Sequence, residues 1–248
     1  MPILNWIADD KLKFAVSHLL LKAKEAKVST EKKFGKNVID PFSAIFEIAG
    51  FEIDYPNWLK SEIARQAQKT LQNHIGNFHQ NILGSVDGWV NMDTGHVIDL
   101  VSEKKGIIAE VKNKYNTISG GKLADQYYSL SELVSPKNSI YKGFTAYYVP
   151  IVPKKPKRYD KIFTPSDKKK GEKCPANEKI REIDGASFYK LVTGEEQAIE
   201  NLFAILPNVI NECSEGKIEI KEKTKLRDFF NHAFKEPMAT KVAAKKSS

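Results

Sequence analysis

Apolar residues return at helical spacing in three segments of the first third of the chain. From residue 9 to about 27 they recur every three or four positions, with Asp9 as a candidate N-cap. Asp40 and Pro41 then supply a cap and a first helical residue, and the apolar face that follows predicts a short buried helix. A further stripe over 57–83 predicts a long helix that packs on the core.

Short apolar runs separated by turn residues follow, and they predict a strand hairpin. Residues 89–91 form the first run, a turn follows at 93–95, and the run VIDLV occupies 97–101. The polar sequence EKKG at 103–106 then leads into IIAEVK at 107–112. Apolar runs joined by short polar loops are typical of neighbouring strands in one sheet.

A helix, a strand and a second helix complete the pattern. Gly120 and Gly121 precede an amphipathic helix, GFTAYYVPIVP at 143–153 predicts a buried strand, and 195–213 predicts a later helix. Strands interleaved with helices predict an α/β fold, with a mixed central sheet flanked by helices.

The composition suits one folded unit with an appendage. Hydrophobic residues make up 41% of the chain and aromatic residues 10%, which is enough to form a core. We predict a single domain over 1–215 and a basic C-terminal extension over 216–248. The expected parts of the domain are a helical N-terminal part at 1–83, a sheet core at 84–153, a basic loop at 154–175 and a C-terminal helical part at 176–215.

Basic residues are concentrated in one segment. The chain has 39 Lys and Arg against 31 Asp and Glu, a net charge of +8. Nine of the basic residues and three acids lie between Lys154 and Lys173, where Pro156 and Pro165 predict an irregular loop. Such a loop suits a polyanion such as nucleic acid, and an ordinary solvated loop is the alternative.

Cysteine usage and the absence of apolar spans predict a cytoplasmic protein. Cys174 and Cys213 form no CxxC pair, so neither a disulfide framework nor a structural zinc site is indicated. The N-terminus lacks the features of a signal peptide, and no apolar run approaches the roughly 20 residues of a membrane span. We therefore expect no membrane partner.

The long predicted helix also carries a polar row. Arg65, Gln68, Gln72, Gly76 and His79 follow one another in steps of three and four. The row suits contacts with phosphates or base edges, and a solvated helix face is the alternative. For His79, a structural role or a phosphate contact is favoured over metal binding.

The hairpin carries the residues best suited to chemistry. Side chains alternate along a strand, so Glu110 and Lys112 leave one side while their neighbours pack inward. If EKKG closes the hairpin, Ser102 pairs with Ile107. Counting back then places Asp99 opposite Glu110, with Cβ atoms about 5 Å apart.

Two carboxylates at that separation repel each other unless a cation neutralises them. Magnesium takes one or two carboxylates, so Asp99, Glu110 and the Val111 carbonyl are the candidate metal ligands. Lys112 would orient or help deprotonate a water and balance charge in a transition state. The pattern Glu-x-Lys occurs six times, but only the copy at Glu110 lies in an apolar strand preceded by a strand-borne Asp. An exposed cross-strand salt bridge is the alternative.

These residues resemble a known signature. Asp99 followed by Glu110-Val111-Lys112 resembles the PD-(D/E)xK motif of nucleases, with Ile98 where that motif often has Pro. Longer segments together resemble a type II restriction endonuclease of the group that cleaves GGNCC-like sites, over most of residues 1 to about 205. These segments are NVIDPFSAIFEIAGF, RQAQKTLQNHIGNFHQNILG, AEVKNKYNT, YKGFTAYYVPIVPK and IDGASFYKLVTG.

The resemblance implies a restriction-endonuclease-like core and Mg²⁺-dependent cleavage of both strands of double-stranded DNA at a short palindrome. It implies 5′-phosphate and 3′-hydroxyl ends and a homodimer. A palindrome independently favours the dimer, because two equivalent half-sites suit a two-fold pair of subunits. The alternatives are a non-catalytic DNA-binding module on a nuclease-like scaffold and a structure-selective repair nuclease.

Candidate DNA contacts lie beyond the catalytic strand, in the basic loop and on the polar row. Arg and Lys favour guanine in the major groove, other lysines grip phosphate, and the sequence does not separate the two roles. The candidates are Arg65, Gln68, Gln72, His79, Asn113, Lys114, Asn116, Lys154, Lys155, Lys157 and Arg158.

Overall fold

The computed structural model describes residues 1–92, 95 and 97–236. The turn predicted at 93–95 therefore lies largely outside the described residues, as does the end of the basic extension from 237 to 248. Within the described part, no helix is long and apolar enough to cross a membrane.

Three helices form the N-terminal part: α1 (Asp9–Lys33), α2 (Pro41–Gly50) and α3 (Tyr55–Gly84). The cap predicted for α2 is confirmed, because the Asp40 carboxylate accepts hydrogen bonds from the backbone amides of the next turn. The cap predicted for α1 is wrong. Ala8 occupies the N-cap position, and the Asp9 carboxylate instead accepts a hydrogen bond from the Ile3 amide at 2.8 Å.

Helix α2 is not buried, which corrects a second prediction. Phe42, Ile45 and Phe46 are 73%, 64% and 74% exposed. The helix contacts α3 on one side, where Trp58 Nε1 donates to Glu47 Oε2 at 2.9 Å. Helical spacing identifies which face is apolar, but it does not determine what covers that face.

A mixed six-stranded sheet forms the centre of the fold, as predicted. In chain order, its strands are β1 (Val90–Asn91), β2 (Leu100–Ser102), β3 (Ile107–Lys114), β4 (Thr145–Val152), β5 (Asp160–Ile162) and β8 (Ile180–Ile183). Their order in the sheet is β1-β2-β3-β4-β8-β5. Strands β1, β2 and β3 are antiparallel, β3, β4 and β8 are parallel, and β5 pairs antiparallel with β8. A separate pair of short strands, β6 and β7, lies outside this sheet. Strand β6 spans Ser166–Asp167 and β7 spans Glu172–Lys173.

The register predicted for the hairpin is confirmed, since Ser102 pairs with Ile107. Gly106 closes the turn with φ of 62°, a conformation that favours glycine. Strand β2 is shorter than predicted and begins only at Leu100. Asp99 lies at a bend directly before it, held by a backbone hydrogen bond of 2.9 Å from its amide to the Ala109 carbonyl.

The segment at 154–175 is not an irregular loop throughout, because it contains β5, β6 and β7. Pro156 precedes β5 and Pro165 lies between β5 and β6, and at both positions a missing amide hydrogen costs no ladder bond. Strand β8 interrupts the part predicted as helical at 176–215, which also contains helix α5 (Gly185–Thr193). The predicted later helix is present as α6 (Ala198–Cys213), and a helix not predicted, α7 (Lys223–Phe234), packs on it through stacked Phe203 and Phe230 rings.

Helices cover both faces of the sheet and form two apolar clusters. The larger cluster joins Ala109 and Val111 of β3 to α1, α3, α5 and α6. The smaller one joins Ile108 of β3 to α4 (Leu123–Val134), with Phe163 at its far side. The face of Ile108 also carries Glu110, so the polar residues of β3 emerge where the α4 cover ends.

Candidate active site

The three residues predicted to be catalytic converge on one face of the sheet. Asp99 lies at the register position opposite Glu110, as the pairing of Leu100 with Ala109 requires. Asp99 Oδ2 accepts a hydrogen bond from the Val111 amide at 2.6 Å. Glu110 Oε1 forms an ion pair with Lys112 Nζ, and the carboxyl groups of Asp99 and Glu110 contact each other directly.

Burial and mutual repulsion control the protonation of this pair. Burial, together with the nearby charge of Asp99, raises the pKa of Glu110 to about 7. Burial also raises the pKa of Asp99, although the Val111 amide and the Lys112 charge oppose the shift. Holding both groups ionised is therefore unfavourable without a further positive charge.

The donor set fits magnesium. Among the described residues, no group of three or more His, Cys, Asp and Glu side chains surrounds a common point. Asp99 and Glu110 thus offer two carboxylates, with the Val111 carbonyl as the next oxygen along β3. Magnesium keeps several positions for water and substrate phosphate, so two protein carboxylates suffice for it.

Two residues near the site were not predicted from the sequence. The Gln80 side chain of α3 hydrogen-bonds the Asp99 carboxylate. Tyr148 of β4 is the register partner of Glu110, and its side chain is 2% exposed. Gln80 lies four residues after Gly76 and so continues the polar row by one helical step, which is a signal in the sequence for its position near the site. In the sequence, Tyr148 is one residue of an apolar run. Its position beside Glu110 follows only from the pairing of β3 with β4.

Several candidate DNA contacts lie near the catalytic face. Lys114 continues the side of β3 that carries Lys112, and Asn116 is exposed in the loop beyond. Lys154, Lys155 and Lys157 line a pocket next to the same face.

Other candidate contacts are engaged elsewhere. Arg158 Nη2 donates to the Glu196 backbone carbonyl at 2.9 Å. Arg65 makes two hydrogen bonds of 2.6 Å to the buried carboxylate of Glu62. Gln68 and Gln72 are exposed on α3.

His79 and Asn113 line an apolar cavity of about 350 Å³ among α1, α3 and α6, on the face of the sheet that carries the larger apolar cluster. His79 Nδ1 lies 2.8 Å from the Tyr189 hydroxyl, and burial lowers the pKa of His79 to about 4. Asn113 Nδ2 donates to the Gln72 carbonyl at 3.5 Å. These contacts are with the core of the fold, and the role of His79 stays a prediction.

A mixed sheet flanked by helices, with an Asp directly before one strand brought next to a Glu-x-Lys on the neighbouring strand, is the arrangement of the restriction-endonuclease-like class. The chain belongs to the Eco47II restriction endonuclease family, whose model matches residues 4–215. It is 54% identical over 210 residues to Type II restriction enzyme Eco47II of Escherichia coli, covering 85% of this chain and 87% of that protein. It is also 30% identical over 218 residues to Type II restriction enzyme Sau96I of Staphylococcus aureus, covering 86% and 82%. The resemblance noted in the sequence is confirmed at the level of the family.

Proposed function

We propose that the chain is a Mg²⁺-dependent type II restriction endonuclease that acts in the cytoplasm. It cleaves both strands of double-stranded DNA at a short GGNCC-like palindrome and leaves 5′-phosphate and 3′-hydroxyl ends. The observation that carries this proposal is the convergence of Asp99, Glu110 and Lys112 in a chain of this family. The names of both relatives support site-specific cleavage.

Asp99, Glu110 and the carbonyl of Val111 would hold the metal. When bound there, Mg²⁺ supplies positive charge that stabilises the developing charge on the phosphate oxygens. The closeness of the two carboxylates supports this assignment, because a cation between them would offset both the burial and the repulsion that raise the pKa of Glu110.

The residues of the chain act on the water and on the ligands. Lys112 orients the attacking water and balances the negative charge of the pentavalent transition state. The water oxygen forms a bond to phosphorus, the bond from phosphorus to the 3′-oxygen breaks, and that oxygen takes up a proton as the water loses one. The Val111 amide and the Gln80 amide hold Asp99 in position throughout.

A homodimer would place one such centre on each strand of the palindrome. The exposed apolar side of α2 supports this part of the proposal. Phe42, Ile45 and Phe46 form a solvent-facing patch, with Phe51 68% exposed just beyond the helix. Contiguous apolar surface of this kind is typical of subunit contacts.

Mapping fragment ends tests the proposed function. A DNA of known sequence is incubated with the purified chain in Mg²⁺, with EDTA as the control, and both strands are sequenced at the cut ends. The proposal predicts discrete fragments that share one short palindrome, no product in EDTA, and ends that a ligase rejoins directly. Binding without any product would support the non-catalytic module, and a preference for branched DNA without a shared sequence would support the repair nuclease.

A further inference from the structure

A pocket of about 360 Å³ lies beside the candidate active site, on the same face of the sheet. Its floor includes Tyr148 and Pro150, the register partners of Glu110 and Lys112. Because neighbouring strands lie about 4.8 Å apart, the pocket begins one strand away from the catalytic pair. The other described residues that line it are Tyr115, Leu123, Lys154, Lys155, Lys157, Tyr159, Lys161, Phe163 and Glu182.

The pocket is strongly positive. Four lysines line it against a single acid, Glu182. Lys161 pairs with Glu182 at 3.2 Å, and the Tyr159 hydroxyl donates to the same carboxylate at 3.0 Å. Within the described part of the chain, the remaining lysines at 154, 155 and 157 form no ion pair, so their charge is available to a ligand.

The types of cation present favour a phosphate site over a base-reading site. All four cations in the pocket are lysines, whose compact ammonium groups suit phosphate oxygens. Both arginine and lysine can read guanine, but the planar fork of arginine suits bidentate recognition best. The arginine of this segment, Arg158, is bound instead to Glu196, in the turn that precedes α6.

A buried hydroxyl in the floor gives an independent indication of a polar ligand. The Tyr148 hydroxyl is buried and has no hydrogen-bond partner among the described residues. Burial and the nearby Glu182 and Glu110 carboxylates raise its pKa, so it remains a neutral donor. An unsatisfied buried donor is unfavourable, and an oxygen of a bound group, or a water held by it, would satisfy this one.

We propose that this pocket binds the backbone phosphate next to the scissile phosphate on the same DNA strand. The proposal rests on the proposed function and assigns Lys154, Lys155 and Lys157 to phosphate contact rather than base recognition. A phosphate seated there would fix the scissile group against Glu110 and Lys112 of the adjacent strand. The subsite is therefore a positioning device that does not depend on base sequence.

Uncharged linkages test the subsite directly. A set of cognate duplexes carries one methylphosphonate each, at successive positions around the cut, and dissociation constants are measured with Asp99→Asn to prevent cleavage. One neutral linkage next to the cut should weaken binding about tenfold, the loss of one charge-assisted contact. The measurement is repeated after Lys155→Met/Lys157→Met has been added to Asp99→Asn. In this variant the methylphosphonate next to the cut should no longer weaken binding, whereas methylphosphonates at other positions should weaken it as before. The salt slope of binding should fall by about 1 for each lysine removed.

The matched control is Lys168→Met/Lys173→Met, which removes the same charge from the β6–β7 hairpin outside the pocket. It should keep the sensitivity at the linkage next to the cut. The subsite is overturned if Lys155→Met/Lys157→Met keeps the original pattern, or if it weakens the response to every linkage equally. Failure of the wild-type chain to cut an unmodified duplex in Mg²⁺ would instead contradict the proposed function. The two failures are distinguishable, because the effect of each methylphosphonate is measured by binding and does not require cleavage.

Discussion

The charged groups of Asp99, Glu110 and Lys112 interact closely with one another in the candidate active site. Asp99 and Glu110 are brought into contact by a hairpin register, and Lys112 pairs with only one of them. Burial raises the pKa of both carboxyl groups, and the hydrogen bond from the Val111 amide opposes this shift at Asp99. We propose that a bound cation relieves this instability and that Lys112 acts on the attacking water.

Removal of Lys112 should impair chemistry more than binding. In Lys112→Ala we expect single-turnover cleavage to fall by at least about 100-fold, because orientation of the water and charge balance are lost. Affinity for cognate DNA, measured by fluorescence anisotropy, should change little. Lys104→Ala, in the exposed hairpin turn, is the control and should cut at the wild-type rate. Equal rates for the two variants would exclude the role given to Lys112.

Gln80 provides a second test at this scale. Gln80→Ala removes the amide that hydrogen-bonds Asp99, so the Mg²⁺ concentration for half-maximal cleavage should rise about tenfold or more. The cleavage rate at saturating Mg²⁺ should show a smaller fold-change than the Mg²⁺ concentration for half-maximal cleavage. Asn77→Ala, at an exposed position one turn earlier on α3, serves as the comparison. An unchanged metal requirement in Gln80→Ala would show that Asp99 is positioned without it.

At the scale of elements, helix α3 contributes both to the core and to the site. Its last turns pack Phe78 and Ile82 into the larger cluster, and they place Gln80 against Asp99. The end of α3 also packs closely against β1. A Cβ on Gly84 would lie 2.6 Å from Asn91 Cβ, so only glycine allows this approach. His79 faces the other way, towards Tyr189 of α5, so adjacent residues of α3 serve the site and the fold separately.

The burial of His79 should make stability depend on pH. Its folded pKa of about 4 lies below the ordinary value of 6.5, so the unfolded chain binds the proton more readily. The stabilising contribution is complete above pH 6.5 and is lost as pH falls towards 4, which amounts to about 3 kcal/mol. Denaturant unfolding at pH 7 and pH 4.5 measures it. His79→Gln should lose less stability between these conditions than the wild type, whereas exposed His18→Gln should lose the same amount.

Local patterns predicted the hairpin but not its surroundings. The even EKKG turn and the alternation in β3 depend on neighbouring residues, so Asp99, Glu110 and Lys112 could be placed together from the sequence. Strand β8 and the contacts of Tyr148 and Gln80 depend on partners distant in the chain, which no local periodicity encodes. The apolar face of α2 was recognised correctly, but its exposure depends on what else packs there.

For the whole molecule, we propose one endonuclease domain over 1–215 followed by the extension, whose helix α7 packs against α6. The larger apolar cluster lies under one face of the sheet, and the catalytic residues and the lysine pocket lie on the other. Helix α4 covers only part of the catalytic face, and we propose that DNA binds where this cover ends. The exposed side of α2 lies outside both clusters and is the surface that we assign to subunit contact.

Polar substitutions on α2 should disrupt the dimer. The wild-type chain should have about twice the subunit mass of 28.0 kDa by sedimentation equilibrium. Phe42→Ser/Phe46→Ser should shift it towards the monomer, because the apolar area available for association is removed. Ile140→Ser, which changes a residue that is 83% exposed elsewhere on the surface, should not. A wild-type monomer, or a variant dimer of unchanged affinity, would contradict this assignment.

The most direct measurement of the central claim is plasmid cleavage by Asp99→Asn in Mg²⁺, with binding to a cognate duplex followed in parallel. Asparagine can still accept the hydrogen bond from the Val111 amide, so the fold is preserved while the carboxylate charge is removed. The account predicts that the variant binds DNA with near wild-type affinity and yields no linear or nicked product over times in which the wild type cuts completely. Cleavage by Asp99→Asn at the wild-type rate would contradict it.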